Sequence, residues 1–411
     1  MDLTKKILSD PVNKWVFSYI KKDIYLVGGY IRDLLLDGYT NRDKDYILKD
    51  NIRQVALSAS KKFDGTVIEL KKGQTIRVAL KSGQFLDFSY FKNTINDDLG
   101  KRDFTINAIA WSPGTGIIDP FHGESDLKSK IIKVINPDNL VDDPLRVLRA
   151  YRIASQLGFN YAKGTRNYLR KHSGGLRDIA SERITDELFK LLCNDNATYY
   201  LCLSAEDNVL HEILYARNRN FDSNLMMLGS FDNFLSNLRN NKFKKLFKIK
   251  ILPMLNHHIS QGLNREGLIR LSILLNSLHR NKEYRYGKLR YSNSVIKRLR
   301  KIHKVMHMIK GRITRSKLYD IYSAADDCEY EASLLVSVTR QKNVDKYLKR
   351  ADDFIKFKIK PLLDGYEIQG MLSSAPSAQT GKIRAEIHRR RFLGITRTKS
   401  EARQWILSNF T

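Results

Sequence analysis

The sequence predicts an α+β fold, with a small mixed sheet and helices over residues 1–137 and an all-helical remainder. Three observations predict it. Between residues 24 and 135, short apolar and β-branched runs alternate with glycine-marked turns. From Asp142 onward apolar residues recur at helical spacing, and beyond about residue 195 leucine and lysine replace alternating β-branched runs. Finally, Gly28-Gly29 separates a strand-like run from a helix-like one, and Asp43-Lys44-Asp45 opens another strand soon after.

Composition narrows the function. A chain of 411 residues is too long for one ordinary domain, and 42% hydrophobic residues suffice for real cores. Lys+Arg 72 against Asp+Glu 44 leaves a formal charge of +28, with pI near 9.8, which favours a polyanionic partner such as nucleic acid. No run of about 18 apolar residues, signal peptide or lipidation motif is visible, so a membrane partner is disfavoured and a cytoplasmic location expected. Cys193, Cys202 and Cys328 are an odd, scattered set, which argues against disulfides and structural zinc.

In chain order, residues 1–22 form a helical lead-in with Pro11 near the start of a second helix. Ile24 to Val27 suits a buried strand. Gly28 and Gly29, lacking Cβ atoms, let the backbone turn tightly and approach a ligand. Tyr30 to Leu36 then reads as a helix start whose free N–H groups, with Arg32 nearby, suit a phosphate. A turn at Asp37 to Asn41 leads to Asp43 and Asp45, which share one face of a strand and can hold divalent cations. Asn51 to Phe63 reads as a helix. Thr66 to Leu70, Thr75 to Leu80 and Gln84 to Phe91 read as strands, with turns at Gly73 and Gly83. Asp87, flanked by Leu86 and Phe88, either faces Asp43 and Asp45 as a third acid or lies on a half-exposed sheet face.

Ile106, Ile109 and Ala110 fall at helical spacing, with Arg102, Asp103 and Asn107 near the expected helix start. Asp103 reads as a cap, or beside a triphosphate as a partner for a ribose hydroxyl, with Arg102 on phosphate. Short strands follow at Gly116 to Asp119 and Ile131 to Ile135. Asp142-Asp143-Pro144 then begins a helix carrying Arg146, Arg149 and Arg152 on a roughly common face, read either as a solvated basic face or as a ligand site. Another helix starts at Ser181 to Leu188. Residues 279–318 are densely basic, including Arg285, Lys288, Arg290, Lys297, Arg298 and Lys301, with tyrosines interleaved in a pattern suited to RNA backbone contact.

Four stretches, Leu26 to Asp45, Arg102 to Ala110, Asp142 to Arg152 and Glu182 to Leu188, together resemble the bacterial-type (class II) tRNA nucleotidyltransferases and poly(A) polymerases. Leu363 to Trp405 is a fainter echo of that family's tail. The resemblance implies a polymerase-β-like head at 1–137, a base-recognising neck at 138–197, a helical RNA-binding body at 198–320 and a tRNA-binding tail at 321–411. It implies two Mg²⁺ held by Asp43 and Asp45, with Asp87 a candidate third acid. Gly28, Gly29 and Arg32 would contact the triphosphate, Arg102 and Asp103 the phosphate and ribose, with Asn107 beside them. Asp142, Asp143, Arg146, Arg149 and Arg152 would read the incoming base without a template.

Two departures from the family matter. Asp142 stands where the family usually has Glu, one methylene longer. Only Phe88 to Lys101 separate Asp87 from Arg102, where many members carry a long loop needed to switch from C to A addition. That short connection resembles enzymes that add only the two cytidines. The expected substrates are therefore CTP and tRNA, with a separate A-adding enzyme finishing the end. A complete CCA-adding enzyme that also uses ATP is the runner-up. An A-adding enzyme or poly(A) polymerase ranks lower, and a non-catalytic RNA-binding protein last.

Overall fold

The computed structural model describes residues 3–36, 43–214, 219–240, 247–276, 289–340, 344–372 and 377–410. The turn expected at 37–41 lies mostly outside them. Two compact units emerge, one of residues 1–187 with 203–213, the other of 188–202 with 214–411.

The first unit is built on a mixed seven-stranded sheet among the described residues. Its strands are β1 (Ile24–Val27), β2 (Lys44–Leu48), β3 (Gly65–Lys71), β4 (Thr75–Leu80), β5 (Phe85–Tyr90), β6 (Ala110–Ser112) and β7 (Gly116–Ile118). They lie in the order β3-β4-β5-β2-β1-β6-β7. Gly73 and Gly83, both at positive φ, close the β3–β4 and β4–β5 hairpins as the turn chemistry requires. β5 pairs with β2 in parallel, whereas every other neighbour in this sheet is antiparallel. A parallel pair needs a crossover, and the helix Ile52–Phe63 with the β3–β4 hairpin supplies it. That helix buries Ile52, Val55, Ala56 and Ala59, spaced by three and four residues, and packs on β3, β4 and β5.

Strand alternation decides where each side chain of Asp43-Lys44-Asp45 goes. Lys44 is fully buried on the face opposite the acids, 3.1 Å from Asp10, whose other carboxylate oxygen caps the helix Pro11–Tyr19. Beneath it Tyr46 stacks on Phe88 at 5.2 Å, and Phe17 meets Trp111 edge-on at 5.2 Å. Val27, Ile47, Phe91, Leu99, Ala108 and Ala110 form a core cluster on the acids' side of the chain turns.

The helix expected after Arg102 is not formed. Thr105–Asn107 make one 3₁₀ turn, and Ala110–Ser112 instead pair with β1 as β6. Ile106, Ile109 and Ala110 are buried as expected. The pairing of Ala110 and Trp111 with Val27 and Leu26 satisfies more backbone than a short isolated helix would, so tertiary context overrides periodicity.

Among its described residues, the second unit is helical apart from a small hairpin at His258–Ser260 and Leu263–Asn264. Its helix Arg265–Leu275 buries Arg270 completely, held by Glu266 at 2.6 Å, Asp232 at 2.8 Å and the Leu192 carbonyl at 2.6 Å. A separate apolar cluster joins Leu363, Ile368, Ile383, Ile387, Ala402 and Ile406. Among the described residues no helix is long and apolar enough to cross a membrane.

Candidate active site

Register assembles the acids. Val27, Asp45 and Asp87 are Cα partners across β1, β2 and β5, and in-register neighbours in a sheet share a face. Asp43, two residues before Asp45, lies on that face too, and its carboxylate accepts the Phe85 N–H at 2.8 Å, tying the start of β5 to β2. Of the two readings of Asp87, the one facing the other acids holds, but its carboxylate is already occupied. Arg77, its partner on β4, clamps both oxygens at 2.8 and 2.7 Å and stacks 4.6 Å over Phe85. Burial pushes the Asp45 carboxyl above the ordinary carboxylate range, with Asp87 and Asp43 pushing the same way and Arg102 and Arg149 opposing. Carboxylates supply the hard oxygen donors that suit a divalent cation. Among the described residues, no set of three or more metal-ligating side chains converges, so Asp43 and Asp45 are the pair on offer.

The turn between β1 and the helix Gly29–Leu35 fits this face closely. Gly28 sits at φ +76°, and a Cβ added there would lie 2.9 Å from the Arg102 guanidinium and 3.3 Å from the Asp45 carboxylate. Its N–H donates to the Ile109 carbonyl at 3.2 Å, so Gly28 shapes the cradle through its lack of a side chain. Arg102 is loosely held, reaching the Asn107 carbonyl and Asp98 only at 3.5 Å, and its Nε is buried without a hydrogen-bond partner. Such a guanidinium is ready for an anion. We expect Gly28→Ala to cost about 1–3 kcal/mol of stability from backbone strain and to displace Arg102. Urea unfolding and the affinity for a triphosphate check this, and an unchanged affinity would remove Gly28 from the cradle.

Behind the cradle a chain of polar side chains runs through the wall. Arg149 lies 3.3 Å from Asp103, and Asp103 accepts the Phe104 N–H at 2.8 Å and the Asn107 amide at 2.9 Å. Asn107 in turn accepts Arg32 at 2.8 Å, and Arg32 is paired with Asp33 at 2.7 Å. Arg32 and Asp103 are thus buried and engaged with protein partners, whereas the sequence suggested phosphate and ribose. They set the wall's shape. Burial alone would raise the Asp103 carboxyl, but Arg149, Asn107, the Phe104 N–H and Arg146 outweigh it and hold it below the ordinary range. A depressed carboxyl contributes stability that is present above its unfolded value near 4 and lost as pH falls through its folded value. The stability gap between wild type and Asp103→Asn should therefore be full at neutral pH and shrink below about pH 4, as urea titrations at several pH values would show.

The helix Leu145–Leu157 buries Leu145 and Leu148, while Leu157 is half-buried. Its three arginines have separate fates. Arg146 donates to the Asn139 carbonyl at 3.0 Å and lines a cleft of about 480 Å³ together with Asp45, Asp87, Lys101 and Arg102. Arg149 belongs to the polar chain, and Arg152 is bound to Glu187 at 2.6 Å. Asp143 accepts the Leu145 N–H at 3.3 Å, capping the helix, and pairs with Arg183 at 2.9 Å. Asp142 is exposed at the end of the short helix Asp138–Asp142 and makes no ion pair among the described residues.

The expected RNA-contacting residues divide similarly. Arg285 and Lys288 lie outside the described residues. Arg290 and Lys297 are exposed, and Arg300 and Lys304 continue the outward face of the helix Asn293–Met308. Arg298 and Lys301 turn inward instead. Arg298 reaches the Asp327 carbonyl and Cys328 at 3.4 Å, and Lys301 binds Asp326 at 2.8 Å. Their work is to hold the turn at Asp326-Asp327.

Arg77, Asn139 and Arg183 went unnoticed in the sequence. The alternation Thr75 to Leu80 puts Arg77 on the face opposite the buried Ile76 and Val78, which was a usable signal. Asn139, whose amide ties down the Gly100 and Arg102 carbonyls at 2.8 and 2.7 Å, leaves none.

Residues 24–133 match the model of the poly(A) polymerase head domain, and 158–216 that of a probable RNA- and SrmB-binding site of polymerase A. Over 218 residues the chain is 31% identical to a CC-adding tRNA nucleotidyltransferase of Synechocystis sp., covering 52% of each protein. It is 34% identical over 191 residues to a CC-adding enzyme of Halalkalibacterium halodurans, covering 45% of this chain and 48% of that one. It is 33% identical over 203 residues to a CCA-adding enzyme of Anoxybacillus flavithermus, covering 46% and 50%. The chain thus aligns with about half the length of these curated relatives. Across its whole length it shares its fold with the Thermotoga maritima CCA-adding enzyme complexed with tRNA, at TM-score 0.72 and 23% identity, covering 100% of this chain and 99% of that one.

Proposed function

We propose that this chain, a member of the poly(A) polymerase and tRNA nucleotidyltransferase family, adds cytidine nucleotides to the 3′ end of tRNA without a template. The observation that carries this reading is the cleft in which Asp45 and Asp87 of the sheet meet Arg102 and Arg146. One acid for a divalent cation, a guanidinium for phosphate and a guanidinium for a base thus line one space, with Asp43 two residues before Asp45 on the same strand face.

In this reading the RNA 3′-hydroxyl attacks the α-phosphate of CTP and pyrophosphate leaves. Asp43 and Asp45 would hold Mg²⁺, which when bound supplies the positive charge that favours the attacking alkoxide and the departing pyrophosphate. Arg102, short of partners, takes up triphosphate charge beside the Gly28 turn. Arg77 keeps Asp87 as an ion pair, so that two carboxylates rather than three compete for the cation. Arg146 donates to the acceptor edge of the incoming base, and Asp143, oriented by Arg183, accepts from the exocyclic amine of cytosine. Uracil offers a carbonyl where that amine should be and is refused.

Restriction to cytidine is supported by the short connection after β5. Its helix Ile95–Gly100 is fastened by a capping box between Thr94 and Asp97, with no room for a long swinging loop. CC-adding enzymes stand among the relatives, beside CCA-adding ones. The head, neck, body and tail boundaries at 137, 197 and 320, tRNA contact through Arg290 and Lys297, and a cytoplasmic location belong to this proposal. The test is to incubate a tRNA lacking its CCA end with CTP and ATP and sequence the product. Ends at CC support the reading, ends at CCA replace it with complete CCA addition, and an unextended tRNA overturns it.

A further inference from the structure

The helical unit carries a cavity of about 390 Å³ with its own chemistry. One wall is the helix Ser377–Leu393, on which Arg384, His388 and Arg391 are spaced by four and three residues and so share a face. The other walls are aromatic, with Phe354 and Phe357 from the helix Val344–Ile359 and Tyr319 from the helix Arg315–Ala325. His388 is locked as part of the wall, its two ring nitrogens meeting the Tyr319 hydroxyl and the Phe354 carbonyl, each at 3.1 Å.

Charge in this cavity is unbalanced. Lys358, also in the lining, pairs at 2.9 Å with Asp326, whose carboxylate is shared with Lys301 at 2.8 Å and is thus fully engaged. Arg384 makes no hydrogen bond or ion pair among the described residues. Arg391 donates to the Lys360 carbonyl at 2.6 Å and lies 4.2 Å over the Phe357 ring, but no carboxylate faces it among the described residues. Two guanidinium groups without acids, beside flat aromatic walls, complement a ligand that joins a planar ring to an anion. The volume falls in the ordinary range for pockets that hold one small molecule, roughly 300–1,000 Å³.

We propose that this cavity is a second nucleotide site, taking the base against Phe357, the half-buried ring of the wall, and the phosphate on Arg384 and Arg391. The nucleotide is either free or part of an RNA strand, since the recognising chemistry is the same. Stacking on the aromatic wall reads the ring, and the arginine forks read the phosphate.

The test is photolabelling of the full chain with 8-azidoadenosine 5′-monophosphate, with the labelled peptides mapped by mass spectrometry. Mapping separates this cavity from the cleft beside Asp45, which would also accept the probe. Label is expected on peptides from residues 315–325, 344–359 or 377–393, falling about tenfold in Arg384→Ala, the loss expected for one charge-assisted contact. Arg384 is exposed, so the variant should keep its helical circular dichroism. Phe357→Ala should lower the label as well, and inorganic phosphate alone should compete far less well than AMP. Displacement by tRNA assigns the site to an RNA-borne nucleotide, and displacement only by free AMP assigns it to a soluble one. Absence of label from all three segments, label indifferent to both substitutions, or equal competition by phosphate overturns the proposal.

Discussion

Replacing Asp45 by Asn is expected to slow the proposed cytidylate transfer by at least about a thousandfold, the scale of several kcal/mol of lost charge stabilisation. The fold should survive. Asp45 is a buried acid whose ionised form is opposed by desolvation and by Asp87 and Asp43, and the amide has the same shape without that charge. The thermal midpoint of Asp45→Asn should therefore stay level or rise, while primer extension with CTP all but disappears. Loss of activity with a falling midpoint would mean that the residue holds the sheet together, and undiminished activity would remove the acid from the chemistry.

Arg146→Ala and Arg152→Ala should fail in opposite ways, although the two residues sit six apart on one helix. Arg146 lines the cleft and has a single backbone partner, so its loss should leave stability nearly unchanged and cut the preference for CTP over UTP by about ten- to a hundredfold. Arg152 lines no part of that cleft. Its side chain is 15% exposed against Glu187 at 11%, and breaking so enclosed a pair should cost about 3 kcal/mol by stranding the glutamate. Competition between CTP and UTP measures the first effect and urea unfolding the second. Equal loss of discrimination in both variants would contradict the division of labour along this helix.

Much of the head was legible because strands advertise themselves through period-two burial and glycine turns. The pairing of Asp43 with Asp45 followed from alternation alone, and Lys44 between them went to the opposite face as alternation demands. What stayed hidden depended on pairing between distant segments. Nothing in Arg102 to Ala110 by itself announces that Ala110 will join β1, so its apolar spacing read as a helix. The arginines of Leu145–Leu157 looked alike until their partners Asn139, Asp103 and Glu187 arrived from other elements. Arg298 and Lys301 likewise read as RNA contacts because a basic run carries no mark of which members face a turn of their own chain.

The side-by-side placement of β2 and β5 carries a consequence for how the protein is born. Those strands are parallel, so they cannot zip from a tight turn and must wait for the intervening helix and hairpin to condense. A ribosome-bound fragment ending before β5 would already own Asp45 and the glycine hinge yet lack the neighbour that completes the acidic face. Competence should appear abruptly during synthesis, and only after β5, Arg102 and Arg146 have left the exit tunnel.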